Sequence, residues 1–395
     1  MKSDSTPSTY NKSHAIHDRF HALVSRSAEF SRKNAVMCIA AIAAIITSFI
    51  VLPDKEYLGY FDLNTLTCLF CTLAVICALK NIRFFTIVAS KIVSLTGNMR
   101  MAAIALIYIT FIGSMLIAND MALLTFLPLG YFVLHCTGNE RYMAKLFVLQ
   151  NIAANLGGML TPFGNPQNLY LYSYYNIPTL EFLKIMAIPF AVSVALVTLA
   201  CFLFPKTHLK LTETPYGTIL RKKTFYYLLF FALSIVMVFR VIPYYIGLPI
   251  VLAAILYADK RALARVDYGL LLTFVFFFIF AGNMARIDVV NDLLSHLLSK
   301  NTLLFSTLSC QVISNVPSAI LLSHFTTDYK SLLLGVNIGG TGTLIASLAS
   351  LITFRNYLGA CPGDSKRFLK TFTLFNLFFL VVLFSVCAVI INVII

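Results

Sequence analysis

Charge is what this chain has least of. Asp, Glu, Lys and Arg make up 12% of its 395 residues, against about 25% in a soluble domain. Apolar residues make up 59%, and mean hydropathy is +0.84. A soluble chain of this length could not bury that much apolar surface, because the buried fraction rises only slowly with size. A water-soluble enzyme and a disordered chain are therefore excluded. No basic stretch is interleaved with stacking aromatics, so the net charge of +14 does not describe a nucleic-acid binder. The nine cysteines form no disulfide framework; all but Cys361 lie in or beside apolar runs. Cys68 and Cys71 form a C-x-x-C inside an apolar helix, where they read as small hydrophobes rather than a redox pair. The first 33 residues hold no apolar core followed by a small-residue cleavage site, so no cleaved signal peptide is expected. In that tail His14, His17 and His21 share one face if helical, and a solvated amphipathic helix is preferred over a metal site. The composition describes a polytopic protein of the lipid bilayer.

A membrane-crossing helix needs ~20 apolar residues. Segments 34–53, 62–79, 182–204, 224–241, 269–282 and 368–395 are candidates, and 247–257 is a shorter one. Segment 84–95 carries Lys91 and reads as an interfacial helix. Two apolar segments are broken at their middles by residues that start helices: 101–135 by Asn119 and Asp120, and 302–325 by Ser314, Asn315 and Pro317. Both are expected to be re-entrant helical hairpins with tips buried in protein, where bare backbone is tolerated at membrane depth. With the N-terminus inside and each hairpin returning to its own side, 24 of the 30 Lys and Arg fall in cytoplasmic segments, as the positive-inside rule requires. The first hairpin then enters from the cytoplasm and the second from outside.

The two halves also repeat in sequence. Asn155-Leu-Gly-Gly-Met-Leu-Thr161 and Asn337-Ile-Gly-Gly-Thr-Gly-Thr343 share Asn, both Gly and Thr at an offset of 182, a register that pairs Asn168 with Ser350. The expected fold is thus an all-α polytopic membrane protein of two inverted-topology repeats. A cytoplasmic tail covers 1–33. The first repeat spans 34–204, with its hairpin at 101–135 and a broken transmembrane helix at 143–175. A basic cytoplasmic linker covers 205–223. The second repeat spans 224–395, with its hairpin at 302–325 and a broken helix at 331–354. Inverted repeats with interrupted helices point to secondary transporters, whose sites lie near the midplane.

Two prolines and three glycines between Gly157 and Pro166 prevent a continuous first helix. The second has glycines but no proline, so its break is expected to be milder. Unwound carbonyls suit Na⁺, and restarting helix N-termini suit anions. The candidate substrate and ion site comprises Asn119, Asp120 and Asn155, then Gly157, Thr161, Gly164, Asn165 and Asn168. From the second half it takes Ser314, Asn315, Asn337, Gly340, Thr341, Thr343 and Ser347. Asn119, Asn165, Asn315 and Asn337 are candidates for holding Na⁺. Asp120 is the one acidic residue this topology puts inside the membrane, where a carboxylate binds a cation, carries a proton, or caps its helix. No nucleophile with a partner base and no metal-ligand cluster is found, so neither an enzyme nor a resident cofactor is expected. A membrane sensor would lack a signalling domain, and a passive channel is the rival that counterflow would separate from a carrier.

At these residues the chain resembles the ion transporter superfamily that contains the divalent anion/sodium symporters, the citrate transporters and the arsenite efflux permeases. The resemblance runs from about Asn34 to the C-terminus. Gly157-Gly-Met-Leu-Thr-Pro-Phe-Gly-Asn-Pro-Gln-Asn168 is similar to the symporters' Gly-Gly…Thr-Pro-x-Gly-x-Pro-x-Asn pattern, and Ser314-Asn315 is similar to their hairpin tip. The resemblance implies a scaffold domain, a mobile transport domain, a homodimer and elevator-like alternating access in a bacterial inner membrane. The symporters carry Ser-Asn-Thr at both tips, where this chain has Ala118-Asn119-Asp120 and Ser314-Asn315-Val316. Asn-Asp at the first tip is closer to the arsenite permeases and related cation antiporters, and the second broken helix lacks a Pro-Pro-Asn ending. The function expected is secondary active transport of a small inorganic or carboxylate anion, such as a di- or tricarboxylate, coupled to Na⁺ or H⁺. Arsenite efflux or Na⁺/H⁺ exchange is the alternative.

Overall fold

The computed structural model describes residues 34–208 and 217–393. The N-terminal tail with its histidine face, the middle of the basic linker and the last two residues lie outside them. Among the described residues every regular element is a helix, and the one extended pairing is an isolated bridge between Asn98 and His208. Among the described residues five helices are long and apolar enough to cross a membrane.

The first half opens with α1 (Ala35–Ile50), α2 (Leu63–Asn81) and the short α3 (Phe84–Ser94). It continues with α4 (Met99–Ile117) and α5 (Asn119–Cys136), joined at Ala118. Next come α6 (Met143–Gly157), α7 (Pro166–Tyr174) and the long α8 (Thr179–Cys201). The second half contains α9 (Arg221–Val238), α10 (Tyr244–Ala258), the single turn α11 (Lys260–Ala264) and α12 (Tyr268–Ala285). After them come α13 (Asp288–Ile313), α14 (Asn315–Leu322), α15 (Tyr329–Ile338), α16 (Leu348–Ala360) and α17 (Ser365–Val393).

Both helix pairs start and turn by the same devices. Asn98 caps α4 by accepting from the Met101 N–H at 3.0 Å. α13 kinks at Asn301 (φ −165°), whose side chain accepts from the Leu304 N–H at 2.9 Å. An asparagine cap thus separates each hairpin from a short helix before it: α3 in the first half and the exposed stretch 288–300 in the second. The sequence reading missed that second helix, because its polar face resembles a loop. At the tips, Ala118 (φ 61°, ψ 150°) and Ser314 (φ 76°, ψ 159°) share a backbone region essentially reserved for glycine.

The ends of the pairs lie far apart from each other. Near the start of α4, the Arg100 Nε–H donates to the Phe204 carbonyl at 2.7 Å, and the Met99 N–H to that of Thr207 at 2.8 Å. Just after α5, Tyr142 packs on Phe204 and the Lys145 ammonium donates to the Leu203 carbonyl at 3.3 Å. Both mouths of this pair therefore sit at the C-terminal end of α8. The other pair opens at the other end. Leu298, Thr302, Ser323 and Asp328 line one cavity with Tyr174 and Tyr175, and the Tyr329 hydroxyl donates to Glu181 of α8 at 2.7 Å. About 35 Å of helix separates the two levels.

The halves interlock crosswise. α5 packs on α16 while α14 packs on α7, and α6 packs on α17 while α15 packs on α8. α1 and α12 form a closely packed pair beside this assembly, and α2 gathers α9, α10 and α11. One expectation is corrected. Residues 158–165 separate α6 from α7, and residues 339–347 separate α15 from α16, so the second break is no milder than the first. Glycine does there what proline does in the first half. Gly342 sits at φ +116°, and a Cβ on it would come within 2.2 Å of Gln311 Oε1. Gln311 then holds the unwound segment, donating to the carbonyls of Gly339 (2.9 Å) and Thr341 (3.1 Å) and accepting from the Thr343 N–H (2.9 Å).

Candidate functional site

The breaks and the tips meet in one buried network of amides and hydroxyls. Asn155, in the last turn of α6, is its centre. Its Oδ1 accepts from Asn119 Nδ2 (3.0 Å), its Nδ2 donates to Ser347 Oγ (3.1 Å), and its backbone carbonyl accepts from Asn165 Nδ2 (3.2 Å). Asn337 reaches across the halves, donating to Asn168 Oδ1 at 2.6 Å and accepting from Asn165 Nδ2 at 3.5 Å. Asn168 in turn donates toward the carbonyls of Gly158, Met159 and Thr161 at 3.2–3.3 Å, which holds the first break in place. Every amide of this group is at least nine-tenths buried. These bonds offset the desolvation of every amide in the group except at Asn165 Oδ1, which has no donor.

Asn315 sits at the second tip beside Gly340, where a Cβ would approach its Nδ2 to 3.0 Å. Its N–H donates to the Ala346 carbonyl at 3.0 Å, and Ser314 Oγ donates to the same carbonyl at 3.3 Å. The second tip is thus tied to the second break, as the first tip is tied to α6 through Asn119. Thr161, Thr341 and Thr343 lie beside the network. Thr161 donates to the Met115 carbonyl, Thr341 to that of Ile338, and Thr343 to that of Gln311. Gly157 and Gly164 serve close approach: a Cβ on Gly157 would meet the Phe111 carbonyl at 2.2 Å, and one on Gly164 the Gly158 carbonyl at 2.4 Å.

A second layer went unread in the sequence. Asn151 donates to Ser350 Oγ (3.2 Å) and accepts from Thr353 (3.3 Å), and Ser347 and Ser350 share a bond of 2.9 Å. One signal was available: Asn151 stands one helical turn before Asn155, and Ser350 is the register partner of Asn168. Gln311, the brace of the second break, carried none.

Four helix N-termini surround one narrow cavity of about 40 Å³. Its walls include Asn119 and Asp120 of α5, Pro166 of α7, Ser314 to Pro317 at α14, and Leu348 of α16. Val36 of α1 and Leu270, Thr273 and Phe277 of α12 close the far side. Each N-terminus brings a partial positive charge, although the Asp120 and Val316 N–H groups donate to the Asn119 and Asn315 side chains and Pro166 and Pro317 have no N–H. Asp120 Oδ1 and Asn165 Oδ1 are buried without a donor. Among the four asparagines considered for Na⁺, the other side-chain carbonyls already accept: Asn119 from the Asp120 N–H, Asn315 from the Val316 N–H, and Asn337 from Asn165. Among the described residues no group of three or more His, Cys, Asp or Glu could hold a metal ion.

An all-helical bundle with several apolar helices and a buried polar centre built on helix breaks defines a multi-pass membrane transporter. The family is explicit in the sequence: the citrate transporter family model matches residues 23–331, more than three quarters of the chain, and the chain belongs to that family. It is 34% identical over 317 residues to an uncharacterized transporter of Methanocaldococcus jannaschii, covering 80% of this chain and 87% of that protein. It is 28% identical over 318 residues to the inner membrane protein YbiR of Escherichia coli, covering 78% and 84% of the two chains. The family's work is transport rather than enzymatic conversion.

Proposed function

We propose that the protein is a secondary active transporter of a small anion, a di- or tricarboxylate such as citrate, driven by Na⁺ or H⁺. The observation that carries this reading is the convergence of four helix N-termini on one cavity lined by the amides of Asn119 and Asn315, with Asp120 as its one ionisable group among the described residues. Such a cradle attracts an anion through dipoles and N–H groups without a fixed positive charge, so release is not opposed by an ion pair. Asp120 and Asn165 Oδ1 supply the electron-rich oxygens that a coupling cation needs.

The α4–α5 and α13–α14 pairs are read as re-entrant hairpins in inverted repeats, the first entering from the cytoplasm of a bacterial inner membrane. Their mouths at opposite ends of α8 support this, as do their matching tips and the crosswise packing. α1 and α12 then belong to a scaffold, and the hairpins and broken helices to a transport domain that moves against it in a homodimer. The cavity has room for a few waters, so loading the substrate requires that movement.

The test is uptake into proteoliposomes of labelled citrate, succinate and sulfate under imposed Na⁺ or pH gradients. Asn119→Ala and Asn315→Ala should abolish uptake, and intact uptake of every anion in both variants would overturn the site. A second reading, arsenite efflux or Na⁺/H⁺ exchange, is favoured by the unpaired Asp120 Oδ1. Rescue of arsenite- or sodium-sensitive cells in place of anion uptake would establish it.

A further inference from the structure

In this conformation the tip cavity is too small for an organic anion, and spaces large enough lie elsewhere. A groove of about 480 Å³ lies between α5, α6 and α16. Small-molecule sites run from about 300 to 1,000 Å³, with mainly apolar walls and a few placed polar groups. This groove has that composition. Leu127, Pro128, Phe147 and Ala360 supply apolar wall, while Arg355, Asn356 and Tyr131 supply polar groups. The Asn356 amide N–H donates to the Ile352 carbonyl at 2.9 Å. Beside the groove the His135 ring stacks on Tyr131, and its Nδ1 lies 3.0 Å from Glu140.

Arg355 also connects the groove to the tips. It lines a second cavity of about 90 Å³ together with Asp267 and Leu351. Val36, Leu270, Thr273 and Leu348 line that cavity and the tip cavity alike. Among the described residues no other Lys or Arg lines any of these three spaces.

We propose that Arg355 and the α5–α6–α16 groove form a second anion subsite, which binds a small organic carboxylate and stages it on the route to the hairpin tips. The guanidinium forks onto the carboxylate, a geometry that a lysine reproduces only as a point charge. The apolar walls take the carbon skeleton. The staging role rests on the anion-transport reading above; the binding does not, and the two are measured separately.

The chain has no tryptophan, so Tyr131→Trp puts a sole tryptophan, excited selectively over the tyrosines, in the groove of the full-length protein. The detergent-purified variant is titrated with citrate, succinate and benzoate against chloride at matched ionic strength. At least one carboxylate should give a saturable change. Adding Arg355→Gln should weaken it at least tenfold. Asn356→Asp, which leaves Arg355 in place and adds a repelling carboxylate, should weaken it too. Adding Asn119→Ala and Asn315→Ala should leave it unchanged even where uptake is abolished. In proteoliposomes Arg355→Gln should raise KM with little change in kcat. The proposal is overturned by any of four results: no saturable change, an Arg355→Gln titration like its parent, loss of the signal in the tip variants, or a signal that phosphatidylglycerol nanodiscs produce and carboxylates do not compete away. The last would assign the groove to a lipid headgroup. Absence of uptake with binding intact would refute the transport reading and leave the subsite standing.

Discussion

The backbone at Ala118 offers the sharpest test of how the hairpin tips are built. Ala118 holds φ 61° and ψ 150° between two helices, a region that costs a residue with a Cβ about 1–3 kcal/mol. Ala118→Gly removes that cost. It also adds backbone entropy to the unfolded chain, worth about 0.5–1 kcal/mol. The net expectation is a stabilisation of about 0.5–2 kcal/mol. Ala118→Val should do the opposite, because a β-branched residue suits positive φ least. At the second tip the gain should be smaller. Ser314→Gly relieves the same geometry but gives up the hydroxyl's bonds to the Ala346 carbonyl and Asn315 Oδ1, both 3.3 Å. Denaturant-induced unfolding in detergent micelles, followed by circular dichroism, reads the order Gly above Ala above Val at position 118. An Ala118→Val protein as stable as its parent would refute the strained-tip argument. Uptake should fall in the glycine variant despite its stability, because the freed tip no longer fixes Asn119 toward Asn155.

Four further expectations concern packing, the network, the surface and the hairpin. Gly157→Ala sets a methyl against the Phe111 carbonyl and Ser114 Oγ, 2.2 and 2.5 Å from the ideal Cβ position; it should cost about 1–3 kcal/mol or more, and a thermal melt matching the parent would contradict the packing. Asn337→Ala leaves Asn168 Oδ1 buried without its donor and should cost about 1–3 kcal/mol, measured the same way. The hydrogen bond from Arg286, with Nη2 at 2.6 Å from Asp54 Oδ2, holds the Asp54 carboxyl below its ordinary value. A lowered carboxylate adds stability above its unfolded pKa of about 3.9 and loses it as pH falls through the folded value. The parent should therefore lose thermal stability below about pH 4 in a step that Asp54→Asn lacks. For the hairpin reading, Gly97→Cys has open space around its Cβ and Cys136 is exposed. An impermeant maleimide should reach both from the same face of the membrane, and labelling from opposite faces would make α4 or α5 a full span.

Local chemistry wrote the breaks legibly. Asn119-Asp120 and Ser314-Asn315 in the middle of apolar runs announced the helix starts; the structure turns at Ala118, one residue before the first pair, and at Ser314 itself. Gly157 through Pro166 announced the first break. The second was underestimated because its disruption depends on Gln311, a side chain from a different helix, and no local pattern records such a partner. The same holds for the 288–300 helix, whose boundary is one capping asparagine, Asn301, inside a continuous run of turns. The crosswise docking of α5 on α16 and α14 on α7 joins residues about 150 to 230 positions apart. Repeat register hints at it, and only tertiary packing specifies it.

The network that ties Asn119, Asn155, Asn165, Asn168, Asn337 and Ser347 together contains no group that titrates in the physiological range. It behaves as a neutral latch: its hydrogen bonds keep the same donors and acceptors at pH 5 and pH 9. Among the described residues that line the tip cavity, Asp120 is the one that titrates, so acid and alkali act there through that carboxylate. A shift in transport with pH would then report that single residue, without rearrangement of the amides around it.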